Sequence, residues 1–586
     1  MKIAHSLVGR FITILAIPVI FTLLCLCLKF AVGPYYLGLN NDPSYLYLMN
    51  SMYLLNGLTP GFIQHPGITL QVFGAIAIQA FHLNHAFGVI VESVFRDPEF
   101  YLHSIYYSIL VMNAVSLAIL GWYAASKTGN LVLGVLAQAS AFLVVNWGTP
   151  DVLMGGIPVV ANINAENFLI GITNVYGILL LKLYFDEKEN PKVSHDRVAA
   201  LMGFLCATGF VTKILFLPWV LMPLLLLPKQ KEKWMFVAAF LSGVGLWIIP
   251  ILKSIPGFLQ WHFMAMTHTG VHGSGEKGLI DIHLYAQGLI RFLRGNTFYF
   301  SFVAALGSLV IVSFFAPYIR LFKSNLNFVA WRYLAMLCLT VLMALLTFAR
   351  QPEPHYIVPT INFFGLICFF ACLTWEHKEG KRFLAIALAV GIAANVFLSL
   401  RTAGELGRIN RDIYNFSQKV YRDYKECTVC SYYRSSSPAF ALQFGDDNQG
   451  HKAYVDVLRK VYPDAYFYHY WNRYFHDGRD VVYYEDLIKR LPCVLLYGSR
   501  LGDQFNQGFI KVHEIASSRS EVLYRVDAVT AYEALEMYAN AKHYESVKQY
   551  TQAYTFAKKA KALGLRSIDP YMKHLEGLMT GVYPNP

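Results

Sequence analysis

Charged side chains are scarce in this chain. They make up 15% of its 586 residues, whereas soluble domains carry roughly a quarter, and hydrophobic residues make up 55%. This excess of apolar residues excludes a protein that is soluble throughout. It is concentrated before residue 400, where apolar runs of helical length recur, and from Arg401 onward the sequence becomes polar and rich in tyrosine. The shift predicts a membrane-embedded body followed by a soluble tail.

Cysteine is also infrequent, and only two cysteines of the tail lie close together. These are Cys427 and Cys430, whereas Cys493 is isolated and the other cysteines lie in apolar runs. The absence of a second pair argues against a zinc site. We expect a short structural disulfide between Cys427 and Cys430 in an oxidising compartment, with reduced thiols or a redox site as open alternatives.

The apolar runs predict about eleven membrane spans. They cover residues 11–31, 104–125, 130–147, 165–184, 198–212, 213–228, 234–252, 299–316, 331–348, 357–375 and 383–400. If the amino terminus is cytoplasmic, most Lys and Arg between the spans fall on the cytoplasmic side, as is typical of membrane proteins. The same bias accounts for the net charge of +12, so nucleic acid is not an expected partner. An odd number of spans then places the tail outside.

Two long loops face the outer side in this topology. They cover residues 32–103 and 253–298, and loops of this length are usually functional or disordered. Within the first loop, the moderately apolar stretch Ile68–Phe95 carries several polar residues. We therefore expect helices that lie at the membrane interface there and not a further crossing.

The tail divides into two predicted parts. Residues 401–527 alternate short β-rich runs, at 465–470, 494–497 and 509–515, with helical patterns near 450–461 and 481–490. This predicts a small α/β domain. Residues 528–586 place alanines and tyrosines at helical spacing and predict a tetratricopeptide-like helical hairpin.

Acidic side chains at the outer ends of the spans are the first candidates for chemistry. Asp42 follows the first span, Asp151 follows the third, and Glu166 lies at the start of the fourth. A carboxylate at such a place can act as a general base. Asp42 can equally cap a helix that begins at Pro43, and Glu166 can be a favourable first-turn charge, so both interpretations stay open.

Cations and donors on the same side form a second group of candidates. It consists of His65 in a Pro-Gly turn, Lys213 between the two short spans, and Arg350, His355 and Tyr356 before the tenth span. Arginine and lysine stabilise the charge of a departing phosphate. The alternatives are local hydrogen bonding for the histidine, interfacial placement for Arg350 and an internal ion pair for Lys213.

These motifs, in this order and on one side of the membrane, resemble the GT-C superfamily of polyprenyl-phosphate-sugar glycosyltransferases. The similarity is greatest to bacterial protein O-mannosyltransferases and aminoarabinose transferases, and it covers about residues 1–400. It rests on Asp42, on the turn His65-Pro66-Gly67, and on the segments 209–213 and 355–359. Close relatives usually carry paired acids where this chain has only Asp42, and a Pro-Pro turn where it has Pro66-Gly67.

The resemblance implies a GT-C-like body of residues 1–400 that transfers a sugar from a polyprenyl-phosphate-linked donor, with inversion, at the outer face of a bacterial inner membrane. The acceptor is a glycan, a lipid or a protein, and the tail is periplasmic. The implied catalytic residues are Asp42, Glu166 and Asp151, and the implied substrate-binding residues are His65, Lys213, Arg350, His355 and Tyr356. A role for a divalent cation is left open.

Two functions from other classes remain as alternatives. A transporter or flippase of lipid-linked sugars would use the interrupted short spans near Lys213 as a midplane site. A membrane scaffold would recruit partners through residues 528–586 and would tolerate substitution of Asp42.

Overall fold

The structure is a computed structural model of the chain. It describes residues 7–37, 44–63, 67–83, 85–145, 158–190, 193–269, 275–278, 281–295, 327–348, 354–374, 378–432, 437–447, 452–469, 474–490, 492–499, 510–529, 532–562, 565 and 568–580. All structural statements below refer to these residues.

The regular elements of the amino-terminal part are helices, apart from one isolated bridge between His268 and Lys277 within the described ranges. Its helices are α1 (Leu7–Val32), α2 (Ser44–Leu55), α3 (Ile68–Ala80), α4 (Phe87–Arg96), α5 (Pro98–Thr128), α6 (Leu131–Gln138), α7 (Ser140–Val145), α8 (Ala165–Glu189), α9 (Asp196–Thr212), α10 (Leu217–Leu226), α11 (Gln230–Ile248), α12 (Ile255–Thr267), α13 (Ile282–Gly295), α14 (Phe328–Phe348), α15 (Val358–Asn362), α16 (Phe364–Thr374) and α17 (Lys378–Asp423).

Six stretches of these helices are long and apolar enough to cross a membrane. Within the described residues they are Ile12–Val32, Pro98–Thr128, Ala165–Glu189, Gln230–Met264, Phe328–Leu346 and His355–Thr374. Several of them expose large apolar side chains, among them Phe30, Trp122 and Leu246, as expected of surfaces that face lipid. The prediction of a multi-pass helical membrane protein is confirmed.

The remaining predicted spans fall on shorter or partly described helices. The third is divided between α6 and α7, and the fifth and sixth are α9 and α10. The eighth, at 299–316, lies outside the described residues. The eleventh, at 383–400, is part of α17, which continues without a break to Asp423. The total of eleven therefore stays a prediction, and the sequence reading missed that residues 401–423 prolong a helix.

The interruption between α9 and α10 has local causes. Lys213 is extended, with φ −158° and ψ 127°, and a 3₁₀ turn at Ile214–Phe216 leads into α10. Pro218 lies in the first turn of α10, where a missing N–H costs nothing. Gly209 allows the Phe216 ring to pack on α9, since an added Cβ would lie 2.6 Å from that ring. The break therefore holds Lys213 in extended backbone between two helices.

The soluble part is built on one mixed sheet. Its strands are β1 (Thr428–Ser431), β2 (Tyr466–His469), β3 (Tyr474–His476), β4 (Val481–Val482), β5 (Val494–Ser499), β6 (Ile510–Ser517) and β7 (Glu521–Val529), in the order β4-β3-β2-β1-β5-β7-β6. The central pairs β1–β2 and β1–β5 are parallel, and the others are antiparallel. The helices α18 (Pro438–Asp447), α19 (Val455–Val461) and α20 (Tyr484–Arg490) connect these strands.

The disulfide differs from the predicted one. Cys427 pairs with Cys493, with their Cα atoms 4.7 Å apart, and Cys430 is a buried free thiol. The prediction of a Cys427–Cys430 bridge was wrong because the residues from 428 onward form a strand, which carries Cys430 about 10 Å away along the chain. Thr428 lies beside Val494 in the parallel β1–β5 pair, so the residues preceding these two strands are neighbours.

Three further helices follow β7. They are α21 (Tyr532–Ser546), α22 (Tyr550–Ala562) and α23 (Asp569–Thr580). Their small core contains Ala534, Ala541, Ala553 and Ala557, with Leu575 from the third helix. Small side chains at these positions let the helix axes approach closely. The tetratricopeptide-like assignment of residues 528–586 stays a prediction.

The chain forms two compact units. One contains residues 1–32, 46–90 and 99–406, and the other contains residues 33–45, 91–98 and 407–586. Parts of the predicted first outer loop thus fold with the tail. In this second unit, Lys460 pairs with Glu92 at 2.5 Å, and the Tyr462 hydroxyl donates to the Phe95 carbonyl at 2.9 Å. The Lys460 and Arg96 cations hold the pKa of the Glu92 carboxyl below its ordinary value.

Candidate functional site

Glu166 lies in the first turn of α8. Asn164 caps this helix, because its side-chain carbonyl accepts from the Asn167 N–H at 2.7 Å. A carboxylate in the first turn is favoured by the free N–H groups and the dipole of the helix. The Glu166 side chain is only 6% exposed, so its charge needs a partner.

That partner is Lys213. Its ammonium donates to the Glu166 carboxylate across 47 residues of sequence, and the lysine side chain is 8% exposed. The extended backbone at the α9–α10 break orients Lys213, whose N–H donates to the Gly209 carbonyl at 2.9 Å. The structure thus joins two residues that the sequence placed at separate sites, and it forms a buried ion pair from them.

Tyr356 completes this cluster. It lies in the 3₁₀ turn Pro354–Ile357, and the Lys213 ammonium lies 4.2 Å from the centroid of its ring. Such cation–π contacts are strongest where the groups are desolvated, and Tyr356 is buried. His355 is half-buried and packs edge-on against Tyr356, with ring centroids 4.2 Å apart. Three predicted residues, Glu166, Lys213 and Tyr356, therefore meet, with His355 beside them.

The residue after the predicted His65-Pro66 turn also reaches this region. The Gly67 N–H donates to the Thr212 carbonyl at 2.9 Å, directly before Lys213. The hydroxyls of Thr69 and Thr212 are 2.5 Å apart and buried. The start of α3 is thereby fixed to the end of α9, next to the ion pair.

Four candidate residues lie outside the described residues. They are Asp42, His65, Asp151 and Arg350. Their proximity to the Glu166–Lys213 pair stays a prediction.

A buried amide network behind Glu166 was missed by the sequence reading. The Asn113 side chain donates to Asn167 at 3.1 Å, Asn174 donates to Ser116 at 3.1 Å, and Asn362 donates to Asn174 at 3.2 Å. The side-chain carbonyls of Asn113 and Asn362 are buried and accept no hydrogen bond from the described residues. Asn167 and Asn174, seven residues apart in an apolar span, were the available signal, since amides in spans face other helices.

The site residues offer acid, base and cation chemistry. The described residues contain no group of three His, Cys, Asp or Glu side chains that could hold a metal ion. The Lys213 ammonium lies beside a carboxylate and a phenol. An incoming anion can replace the carboxylate, because the anion also compensates the charge of the ammonium. This arrangement suits a phosphate-bearing substrate.

Comparisons with known proteins give little further information about this site. No protein-family model matches the chain, and no curated protein matches it. Two solved structures of ArnT from Cupriavidus metallidurans are similar. The one bound to undecaprenyl phosphate has a TM-score of 0.41 and 11% identity, and the apo structure has 0.43 and 12%. In both cases 86% of this chain and 97% of the other are covered. Similarity at this level carries no argument about activity, so the proposal rests on this chain's own residues.

Proposed function

We propose that this protein is a GT-C-like membrane glycosyltransferase that moves a sugar from a polyprenyl-phosphate-linked donor to an acceptor at the outer face of a bacterial inner membrane. The observation that carries the proposal is the buried Lys213, compensated by Glu166 and covered by Tyr356 at a break between two apolar helices. Burying a charge in a membrane protein is costly, and such residues usually serve function.

The proposed step is an inverting transfer. Asp42 takes the proton from an acceptor hydroxyl or amide, and the acceptor atom attacks the anomeric carbon of the donor sugar. The bond between that carbon and the phosphate oxygen breaks, and its electron pair stays on the polyprenyl phosphate. Lys213, with Arg350 and His355, stabilises the charge on the leaving group. His65 and Tyr356 shape the binding site, and Asp151 or Glu166 supplies the second acid.

The ion pair suggests how the phosphate is admitted. In the structure Lys213 is engaged by Glu166, so its charge is compensated before substrate arrives. A donor phosphate that displaces the carboxylate gains a buried cation and leaves Glu166 at the helix amino terminus, where the free N–H groups favour its charge. The exchange keeps the buried Lys213 charge compensated when the phosphate binds.

The second compact unit supports placing the tail and the first loop on one side of the membrane. Residues 91–98 and 407–586 belong to this unit, so an even number of crossings must separate them. Five of the six membrane-crossing stretches found in the described residues lie between them. An odd number of further crossings is therefore required, which agrees with eleven spans in total.

The test is turnover by the purified protein. With a labelled polyprenyl-phosphate sugar and a mixture of envelope acceptors, we expect release of polyprenyl phosphate and appearance of labelled glycoside. Asp42→Asn should abolish transfer, and wild-type turnover by this variant would exclude Asp42 as the base. Mass spectrometry of envelope glycans with and without the gene would identify the sugar.

The helix break at Lys213 also favours a second candidate function. Interrupted helices with a buried charge mark the binding sites of transporters, so the second candidate is a flippase of lipid-linked sugars. Movement of the labelled lipid across vesicles without formation of a glycosidic bond would favour this function over transfer.

A further inference from the structure

The carboxyl ends of the parallel strands in the soluble unit form a place where ligands commonly bind. β1 is flanked by β2 on one side and β5 on the other, and all three run in the same direction. After β1 the chain continues to β2, on one side of β1. After β5 it continues to β6, at the opposite edge of the sheet. In open α/β sheets, the crevice at such a reversal is the usual ligand site.

A cluster of four rings lies on the β2–β3 hairpin, which is separated from this crevice by β1. Phe467 pairs with His476 and His469 pairs with Tyr474 across the β2–β3 hairpin, so the four side chains share one face. The ring centroids of His469 and Tyr474 are 5.2 Å apart and nearly parallel, and those of Phe467 and His476 are 5.4 Å apart. His469 and Tyr474 are partly exposed above a buried floor of Phe467 and His476. We call this set the ring cluster.

An ion pair borders the ring cluster. Asp447, at the end of α18, pairs with Lys452 at 3.3 Å and accepts from the Gln443 amide at 3.2 Å. The Asp447 and Lys452 charges act on both histidines of the cluster. A carboxylate and an ammonium are thus close enough to act electrostatically on the two histidines, and their opposite charges compensate each other.

The histidines are neutral at ordinary pH. Burial lowers the pKa of His476 to about 4, and burial likewise lowers the pKa of His469. The Gly478 N–H donates to Nδ1 of His476 at 3.3 Å, so the ring proton is on Nε2. The cluster therefore presents the partly exposed rings of His469 and Tyr474, together with one compensated ion pair.

These properties fit an uncharged polyhydroxylated ligand. The apolar C–H face of a sugar ring packs on an aromatic ring, and its hydroxyls both donate to a carboxylate and accept from an ammonium. A free phosphate would meet Asp447 as well as Lys452. A metal ion is disfavoured, since the described residues contain no suitable group of three ligands.

We propose that the ring cluster binds a saccharide, namely the acceptor glycan of the transfer reaction. The identification of the saccharide as the acceptor rests on the proposed function, whereas saccharide binding itself does not. The cluster belongs to the same compact unit as residues 33–45 and 91–98 of the first loop, which places the acceptor on the side of that loop.

The first test measures binding to the full-length protein in detergent, with an array of bacterial envelope oligosaccharides as the probe. Tyr474→Ala should weaken the strongest signal by about fivefold, because a ring contact contributes roughly 1 kcal/mol. Tyr474→Phe should retain binding. Tyr483→Ala is the matched control, since Tyr483 is exposed and is not part of the cluster. Equal binding by all four proteins, or no saccharide binding by the wild type, would overturn the proposal.

Two further readouts separate the possible failures. Protection of the buried Cys430 thiol from alkylation shows that Tyr474→Ala still folds. Release of polyprenyl phosphate without acceptor should be unchanged in Tyr474→Ala, while transfer to the bound saccharide should fall. A wild type that binds saccharide and never consumes donor would contradict the proposed function but leave the saccharide site in place. Loss of the acceptor-independent release in folded Tyr474→Ala would contradict the acceptor role.

Discussion

Replacement of Lys213 by methionine is the most informative perturbation of the buried ion pair. Methionine keeps the unbranched apolar stem and removes the charge. The Glu166 carboxylate would then remain at 6% exposure without its ammonium partner. The variant therefore measures the loss of stability when Glu166 has no charge partner, with little change in side-chain volume.

The expected magnitude follows from the burial of both groups. Removing one partner of a buried ion pair costs roughly 3–5 kcal/mol, because the other charge is left uncompensated. Lys231→Met is the matched control, since the lysine of its pair with Asp196 is 74% exposed and such a surface pair contributes little to stability. Glu166→Gln combined with Lys213→Met removes both charges and should recover most of the lost stability.

The assay combines stability with turnover. The fraction of monodisperse protein after heating in detergent ranks the wild type, Lys213→Met, Lys231→Met and the double variant. Donor consumption is then measured on those that fold. If the pair is purely structural, the double variant should be stable and active. If Lys213 also stabilises the leaving phosphate, the double variant should be stable and inactive.

Two results would refute this reasoning. If Lys213→Met were as stable as Lys231→Met, the pair would not be a buried, energetically coupled one. If the stable double variant consumed donor at the wild-type rate, Lys213 would not stabilise the leaving phosphate.

Three other predictions concern the soluble unit. Replacing Cys493 by serine should destabilise this unit by about 4 kcal/mol, because the Cys427–Cys493 bridge closes a separation of 66 residues; protease resistance with and without reductant measures this, and an unchanged profile would contradict it. Cysteines at Glu92 and Lys460 should be joined by a bifunctional maleimide long enough to span the two side chains, while single charge reversals there should change stability little; absence of the cross-link would argue against the docking of residues 91–98. Because burial lowers the pKa of His476 to about 4, the unfolded chain binds more protons between about pH 4 and 6.5, so stability should rise across this window by roughly 3 kcal/mol. In His476→Phe the urea midpoint should lose this part of its pH dependence, and an equal slope in both proteins would refute the assignment.

The local sequence pattern was sufficient to predict much of the architecture. Hydropathy located the long spans, because a helix that faces lipid must be apolar along its whole length. The alternation of short β-rich runs located β2, β5 and β6 to within a few residues. The boundary after residue 400 was less accurate, since α17 continues to Asp423 and no helix-ending residue marks the change from apolar to polar sequence.

Contacts between segments that are distant in sequence could not be predicted from the sequence alone. Glu166 and Lys213 were each identified as candidates, but a single sequence contains no signal that pairs residues 47 positions apart. The prediction of the disulfide failed for the same reason, because Cys493 becomes the partner of Cys427 only through the parallel pairing of β1 with β5. The ring cluster and the ion pair that borders it were also missed, since Asp447, His469 and His476 come from three separate elements.

Product analysis with the reconstituted protein tests the central claim most directly. Vesicles that contain the purified chain are given a polyprenyl-phosphate sugar labelled in the sugar, together with envelope acceptors, and the lipid and glycan fractions are separated by mass spectrometry. The account predicts free polyprenyl phosphate and labelled glycoside in equal amounts, with both lost in Asp42→Asn and in the Glu166→Gln/Lys213→Met double variant. Intact donor that only changes leaflet, with no new glycosidic bond, would contradict it.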